Sequence, residues 1–151
     1  MDVTIDSSTV ISLAWAGLLG LLADAPFTVT VPKIVHDETV THAVAAGHAD
    51  AIAIRTAIVS FPLVTGLEQD SADDQVLAAS YRTGTLLTND AALGRRAVNT
   101  GVTWLRTADM VVLYAQLGVL DSRGARGALE ALCAAGRITP ELLSGSLEEL
   151  S

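Results

Sequence analysis

The sequence predicts an α/β fold: a three-layer α/β/α sandwich on a short, mainly parallel sheet, followed by a helical C-terminal extension. Three observations lead there. Short β-branched, apolar runs alternate with helical patterns through residues 1–105, the spacing of strands joined by crossover helices. Those runs are apolar throughout, as expected where both faces of a sheet are covered. From Ala108 onward only helical pattern remains. The 151 residues suit a single domain, 1–151, with 108–151 as its all-helical extension.

Each element has its own warrant. Val3-Thr4-Ile5 is a β-branched strand ending at Asp6. Apolar residues then recur at helical spacing from Val10 to Leu22, which predicts a helix. Phe27 to Val31 reads as a second strand, and Pro32 suits the first turn of a helix running through Val44. Ala49 to Ala57 is helical, and Ile58 to Val64 is extended around Pro62. Ser71 with Asp74 three residues on marks a helix start of capping-box type, and that helix stops near Gly84. Thr85 to Thr88 is a third strand, Ala91 to Val98 a helix, and Val102 to Leu105 a fourth strand. The helical tail breaks near Gly118–Asp121 and Gly136–Pro140.

Composition narrows the function classes. Half the residues are hydrophobic and 17% are charged, which excludes a disordered chain. The longest apolar stretch, Val10 to Ala23, falls short of the about 20 residues that a membrane span needs. No basic residue precedes Lys33, so neither a span nor a secretory leader is expected. The lone cysteine, Cys133, fits a reducing cytoplasm. With 17 acidic and 9 basic residues the net charge is −8, which argues against coating nucleic acid by bulk electrostatics. It leaves room for an enzyme that meets nucleic acid through cations held by carboxylates.

The acids fall in telling places. Asp6 follows the first strand and Asp90 the third, so parallel strands put both on the edge where ligands bind. Taken singly, each is equally explained as turn or cap chemistry. Glu38 lies three and four residues beyond Val35 and Ile34, on the predicted inward stripe, where an unpaired carboxylate is costly. Asp37, four residues from Lys33, reads as a surface ion pair. Asp73 precedes Val76, Leu77 and Ser80 at inward spacings, whereas Asp74 reads as the capping partner of Ser71. Acids at a helix start also stabilise its dipole, so Asp73 and Asp74 remain alternatives.

Four such carboxylates repel one another and make sense mainly around hard divalent cations. Two cations about 3.5–4 Å apart hold a phosphodiester, generate hydroxide and stabilise the leaving oxygen. Other chemistries fare worse. There is no P-loop, no G-x-G-x-x-G and no G-x-S-x-G elbow. Asp6-Ser7-Ser8-Thr9 lacks the second aspartate of an aspartyl-phosphate phosphatase. His36, His42 and His48 are spaced by six, do not share a helix face, and read as ordinary polar residues.

The chain resembles the PIN-domain ribonucleases. The resemblance is carried by Asp6-Ser7-Ser8, by Val31-Pro32-x-x-Val35-x-x-Glu38, by Asp73 with Val76-Leu77-Ala78, and by Thr88-Asn89-Asp90. It covers residues 1–105 in order. Ala115-x-x-Gly118-Val119-Leu120 and Arg137-Ile138-Thr139 resemble a subgroup with an appended helical segment. The resemblance implies that Asp6, Glu38, Asp73 and Asp90 are the catalytic metal ligands, and that the hydroxyls of Ser8 and Thr88 support them. It also implies Mg2+ or Mn2+ as cofactor and RNA as substrate. Similarity to toxins of type II toxin–antitoxin pairs, of the virulence-associated protein C kind, implies an antitoxin partner and a homodimer. Arg95 and Arg96, a turn beyond Asp90, are candidates for substrate phosphates, with a solvated helix face as the plainer explanation.

The leading expectation is therefore a metal-dependent RNA endonuclease, a toxin, in the cytoplasm. The alternatives are a catalytically silent PIN-like interaction module, a housekeeping RNA-processing nuclease and a nuclease acting on DNA. Retention of an acid at all four positions disfavours the silent module. A homodimer is also expected from apolar excess, with Ala14–Leu22 and Val111–Leu120 as the contributing faces.

Overall fold

The computed structural model of the protein describes residues 1–41, 49–58, 61, 63–64 and 71–151. Its strands are β1 (Asp2–Ile5), β2 (Thr28–Pro32), β3 (Leu63–Val64), β4 (Thr85–Leu87) and β5 (Thr103–Leu105). They form one sheet in the order β3-β2-β1-β4-β5, with every pairing parallel. β1 is central: Thr4 aligns with Thr30 on one side and with Leu86 on the other. The chain moves outward from β1 to β2 and β3, then returns to lay β4 on the opposite flank. Strand order thus reverses between β1 and β4, and a sheet of this kind opens its ligand crevice at that reversal.

The described helices are α1 (Ser7–Trp15), α2 (Gly20–Ala23), α3 (Lys33–His36), α4 (Ala49–Ile58), α5 (Ala72–Thr83), α6 (Ala91–Asn99), α7 (Thr107–Gln116), α8 (Ser122–Ala134) and α9 (Pro140–Glu149). α5 lies on β1, β2 and β4 beside α3 and α6, while α1 packs with α4, α7 and α8. These two groups are the outer layers of the sandwich. The core lies between them: Val3, Ile5, Leu86 and Leu87 of the central strands, with Val10, Leu13, Met110 and Leu129 from the helices, are all buried. Each side chain of that size contributes roughly 1.5–3 kcal/mol by leaving water.

Caps explain most boundaries. The Ser71 hydroxyl accepts from the Asp74 amide and opens α5, which closes at Gly84 in the left-handed conformation (φ 84°). Asp121 and Thr139 cap α8 and α9 through their side chains. Pro140 follows at the first helical position of α9, where its missing N–H costs nothing.

Three expectations are corrected. The apolar run Val10 to Leu22 is not one helix: Gly17 takes φ 72° and splits it into α1 and α2. The sheet has a fifth strand, because Leu63–Val64 pairs with Val31 and Pro32. Pro32 ends β2 rather than starting a helical turn, since its ψ of 144° keeps it extended as the N-cap. α3 lasts four residues and passes into a π-turn, Asp37–Thr41. The rest of the expected helix to Val44, with His42 and His48, lies outside the described residues. Among the described residues no helix is long and apolar enough to cross a membrane.

Candidate active site

Asp6 sits where the strand order reverses. Its amide donates to the Leu87 carbonyl at 3.0 Å, which extends the β1–β4 ladder by one rung. Asp6 is also the N-cap of α1, yet its side chain makes no capping bond. The carboxylate is buried, and burial of a charge is tolerated only where hydrogen bonds replace water. Two hydroxyls do so: Ser8 Oγ and Thr88 Oγ1 each donate to Asp6 Oδ2 at 2.8 Å. Ser8 comes from the first turn of α1 and Thr88 from the end of β4, so both flanks of the crevice grip one carboxylate.

Thr88 is itself fixed at every polar atom. Its amide donates to Leu105 O and its hydroxyl accepts from the Asp90 amide, both at 3.0 Å. Its carbonyl accepts from Trp104 Nε1 at 3.0 Å. The Trp104 ring packs against Gly94 of α6, where a Cβ would overlap it. Ser8 Oγ also accepts from the Asn89 amide at 2.9 Å. Among the described residues, no buried side-chain nitrogen or oxygen lacks a hydrogen-bond partner.

The other three acids are held differently. Asp90 Oδ1 accepts from the amides of Ala92 and Leu93, at 2.9 and 3.2 Å, and caps α6. It therefore does both jobs weighed from the sequence: it stands on the crevice edge and it is a cap. Glu38 was expected on an inward stripe and is instead exposed. Thr39 takes the buried slot four residues after Val35, bonding the Val35 carbonyl at 2.6 Å. Glu38 is thereby left at the rim, where Ser7 Oγ stands 3.4 Å from Glu38 Oε2 and 3.5 Å from Asp6 Oδ1. Asp73 is likewise exposed rather than inward, because the buried stripe of α5 begins at Val76. Its carboxyl is held above the ordinary carboxylate range, first by partial burial and then by the charges of Asp6 and Asp90. The charges of both strand-end acids thus act on Asp73.

Asp74 faces elsewhere. Its carboxylate meets Arg96 of α6 at 2.7 Å, and Arg96, followed by Ser71, holds it below the ordinary range. Arg96, a candidate for substrate phosphates, is thus engaged in this pair, while Arg95 is exposed. Lys33 and Asp37 pair at 2.7 Å, as the sequence suggested.

The oxygen donors fit a hard divalent cation in kind: four carboxylates on one edge, one of them already oriented by two hydroxyls. They do not enclose a ready-made pocket. Among the described residues no three His, Cys, Asp or Glu side chains gather closely enough to hold one ion. The reason is local anchoring: Asp6 is turned to its hydroxyls, Asp90 to a helix end, and Glu38 and Asp73 stand in water. Four further residues shape this edge without having been singled out for it: Asn89, Gly94, Trp104 and Arg137. Only Gly94 carries a local signal, since a glycine inside a helix costs about 1 kcal/mol relative to alanine and marks a close approach. The other three act through tertiary contacts.

The parallel sheet carries acids along its C-terminal edge, and at the reversal point one of them is buried and held by two hydroxyls. The family DUF3368, a PIN domain, matches residues 2–151, and the chain belongs to this PIN-domain family. PIN domains are generally nucleases and generally use divalent metal ions. A PilT N-terminus domain protein from the hyperthermophilic archaeon Sulfolobus solfataricus P2 is similar in structure. It shares 10% identity over 73% of this chain and 90% of that one, with a TM-score of 0.46. No curated protein sequence matches the chain.

Proposed function

We propose that the protein is a metal-dependent RNA endonuclease whose site is Asp6, Glu38, Asp73 and Asp90. The observation that carries this reading is the buried Asp6 carboxylate at the β1–β4 reversal, gripped at 2.8 Å by both Ser8 and Thr88 and electrostatically coupled to Asp73. A structural carboxylate has no need of an edge that it shares with three other acids. Mg2+ or Mn2+ held there would supply activated water and charge neutralisation at the scissile phosphate.

The protein's own residues have distinct parts. Ser8 and Thr88 occupy Oδ2 of Asp6, which fixes the plane of the carboxylate and leaves Oδ1 toward Glu38. Asp90 commits Oδ1 to the α6 amides and keeps its second oxygen for a ligand. Glu38 and Asp73, being exposed, adjust toward a ligand on the edge. Arg95, exposed one turn past Asp90, is the candidate for a substrate phosphate, while Arg96 reaches one only by leaving Asp74. The preference for RNA over DNA rests on family resemblance.

The same resemblance supports a toxin role beside an antitoxin protein, in the cytoplasm, and a homodimer. Exposed Trp15 and Leu117 lie within the two apolar stretches expected at a dimer face. Incubating total RNA with Mg2+, Mn2+ or chelator, for wild type beside Asp6→Asn, tests the activity. Cleavage that needs metal and Asp6 supports it; cleavage by neither protein overturns it in favour of a silent interaction module. Light scattering that shows a monomer across micromolar concentrations would remove the dimer.

A further inference from the structure

We infer that the turn between α8 and α9 is a working part of the acidic edge, with Arg137 and Asn89 as positioning residues that hold Ser8, and through it Asp6, in register for a divalent cation. This rests on the nuclease reading above. The contacts form a closed circuit. Asn89 Nδ2 donates to the Arg137 carbonyl at 2.7 Å and to Ser12 Oγ at 3.4 Å. Arg137 Nε donates to the same Ser12 Oγ at 2.9 Å, and its guanidinium lies over the Trp15 ring, 4.8 Å from the centroid. Ser12 Oγ donates to the Ser8 carbonyl at 2.7 Å. The Asn89 amide then bonds Ser8 Oγ, which bonds Asp6 Oδ2.

Docking the extension does not require this arrangement. Buried Ile138, Leu129 and Leu132 already fasten it to the core. The polar bonds of Arg137 go instead to the two segments that orient Asp6: the first turns of α1 and the Thr88–Asp90 loop. Residue 89 lies between the hydroxyl that grips Asp6 and the acid that caps α6, so a shift there reaches both. Partners that orient a ligand typically change metal affinity by roughly 10–100-fold when removed.

The test is calorimetric titration of the full chain with Mn2+, with melting temperature and circular dichroism recorded without metal. Asn89→Ala and Arg137→Ala are compared with wild type and with Tyr114→Phe. The last removes a bond to the Leu21 carbonyl, away from the edge, and controls for lost stability. The inference expects a 10–100-fold weaker Mn2+ affinity in Asn89→Ala, a smaller loss in Arg137→Ala, and wild-type affinity in Tyr114→Phe. Either edge variant suffices if only one keeps the wild-type spectrum. Wild-type affinity in the folded edge variants overturns the inference alone, as does an equal loss in Tyr114→Phe. If wild type itself takes up no Mn2+, the nuclease reading falls, and the inference with it.

Discussion

The four acids divide into two regions that share an edge and little else. Asp6 and Asp90 leave the ends of neighbouring strands, and sheet register and hydrogen bonds fix both: Asp6 by two hydroxyls, Asp90 by two amides. Glu38 and Asp73 stand on helical surfaces, exposed as Asp90 also is. Strand ends are good places to set a charge, because the parallel ladder spaces neighbouring strands at about 4.8 Å and side chains cannot drift. First turns of helices are good places to hold one that must respond. The edge thus combines a preset pair with an adjustable pair, and one member of the second already feels both members of the first.

The sharpest way to break that contrast is at the preset pair. Asp6→Asn should eliminate RNA cleavage, a loss exceeding the roughly 10–100-fold that removing a supporting partner costs. Its circular dichroism should match wild type, because asparagine still accepts from Ser8 and Thr88. Thr88→Val should come next. It takes a hydroxyl from Asp6 and an acceptor from the Asp90 amide, so denaturant titration should show about 1–3 kcal/mol less stability. Mn2+ affinity should fall with it. Gly94→Ala leaves every acid in place but drives a methyl into the Trp104 ring. Overpacking of that kind costs typically 1–3 kcal/mol, and the shift passes through the indole to the Thr88 carbonyl.

The adjustable pair gives a smaller, signed effect. Asp73 has a raised carboxyl pKa in the fold, caused first by partial burial, then by Asp6 and Asp90. Its contribution to stability is therefore fully present below the unfolded value and is lost as pH rises through the folded one. Asp74 is depressed by Arg96, so its contribution is present above the unfolded value and is lost as pH falls. In metal-free protein at neutral pH, Asp73→Asn should raise the melting temperature slightly and Asp74→Asn should lower it. Activity should run the other way, with Asp73→Asn the more damaging. Shifts of the same sign in both variants would show that the two neighbours share one environment.

The sequence was most informative where a residue's role depends on its place in the chain. Asp6 and Asp90 were legible because each comes within three residues of a strand's end, and parallel strands share their C-terminal edge. Ser71 and Gly84 declared helix ends by local chemistry alone. Glu38 was found for a reason that does not hold: helical spacing put it on the inward stripe, but Thr39 fills that slot and a π-turn follows α3. Spacing cannot foresee a change of helical pitch. Trp104 and Arg137 were invisible as contributors to the site, and Asn89 was read only as a member of the Thr88-Asn89-Asp90 motif, because their hydrogen-bond partners lie far off in sequence, as with Trp104 and the Thr88 carbonyl 16 residues away. Val10 to Leu22 read as one helix because Gly17 interrupts it without altering the apolar pattern around it.

The two tryptophans also give the molecule an optical asymmetry. Trp15 is 58% exposed and lies beneath the Arg137 guanidinium, while Trp104 is half-buried and donates its indole hydrogen to Thr88. An aqueous quencher should therefore extinguish the redder, Trp15 part of the emission first. What survives comes from an indole two hydrogen bonds from Asp6. Light emitted by the shielded ring is a native gauge of the crevice, and light from the open one reports whether the tail is in place. Neither signal requires a label.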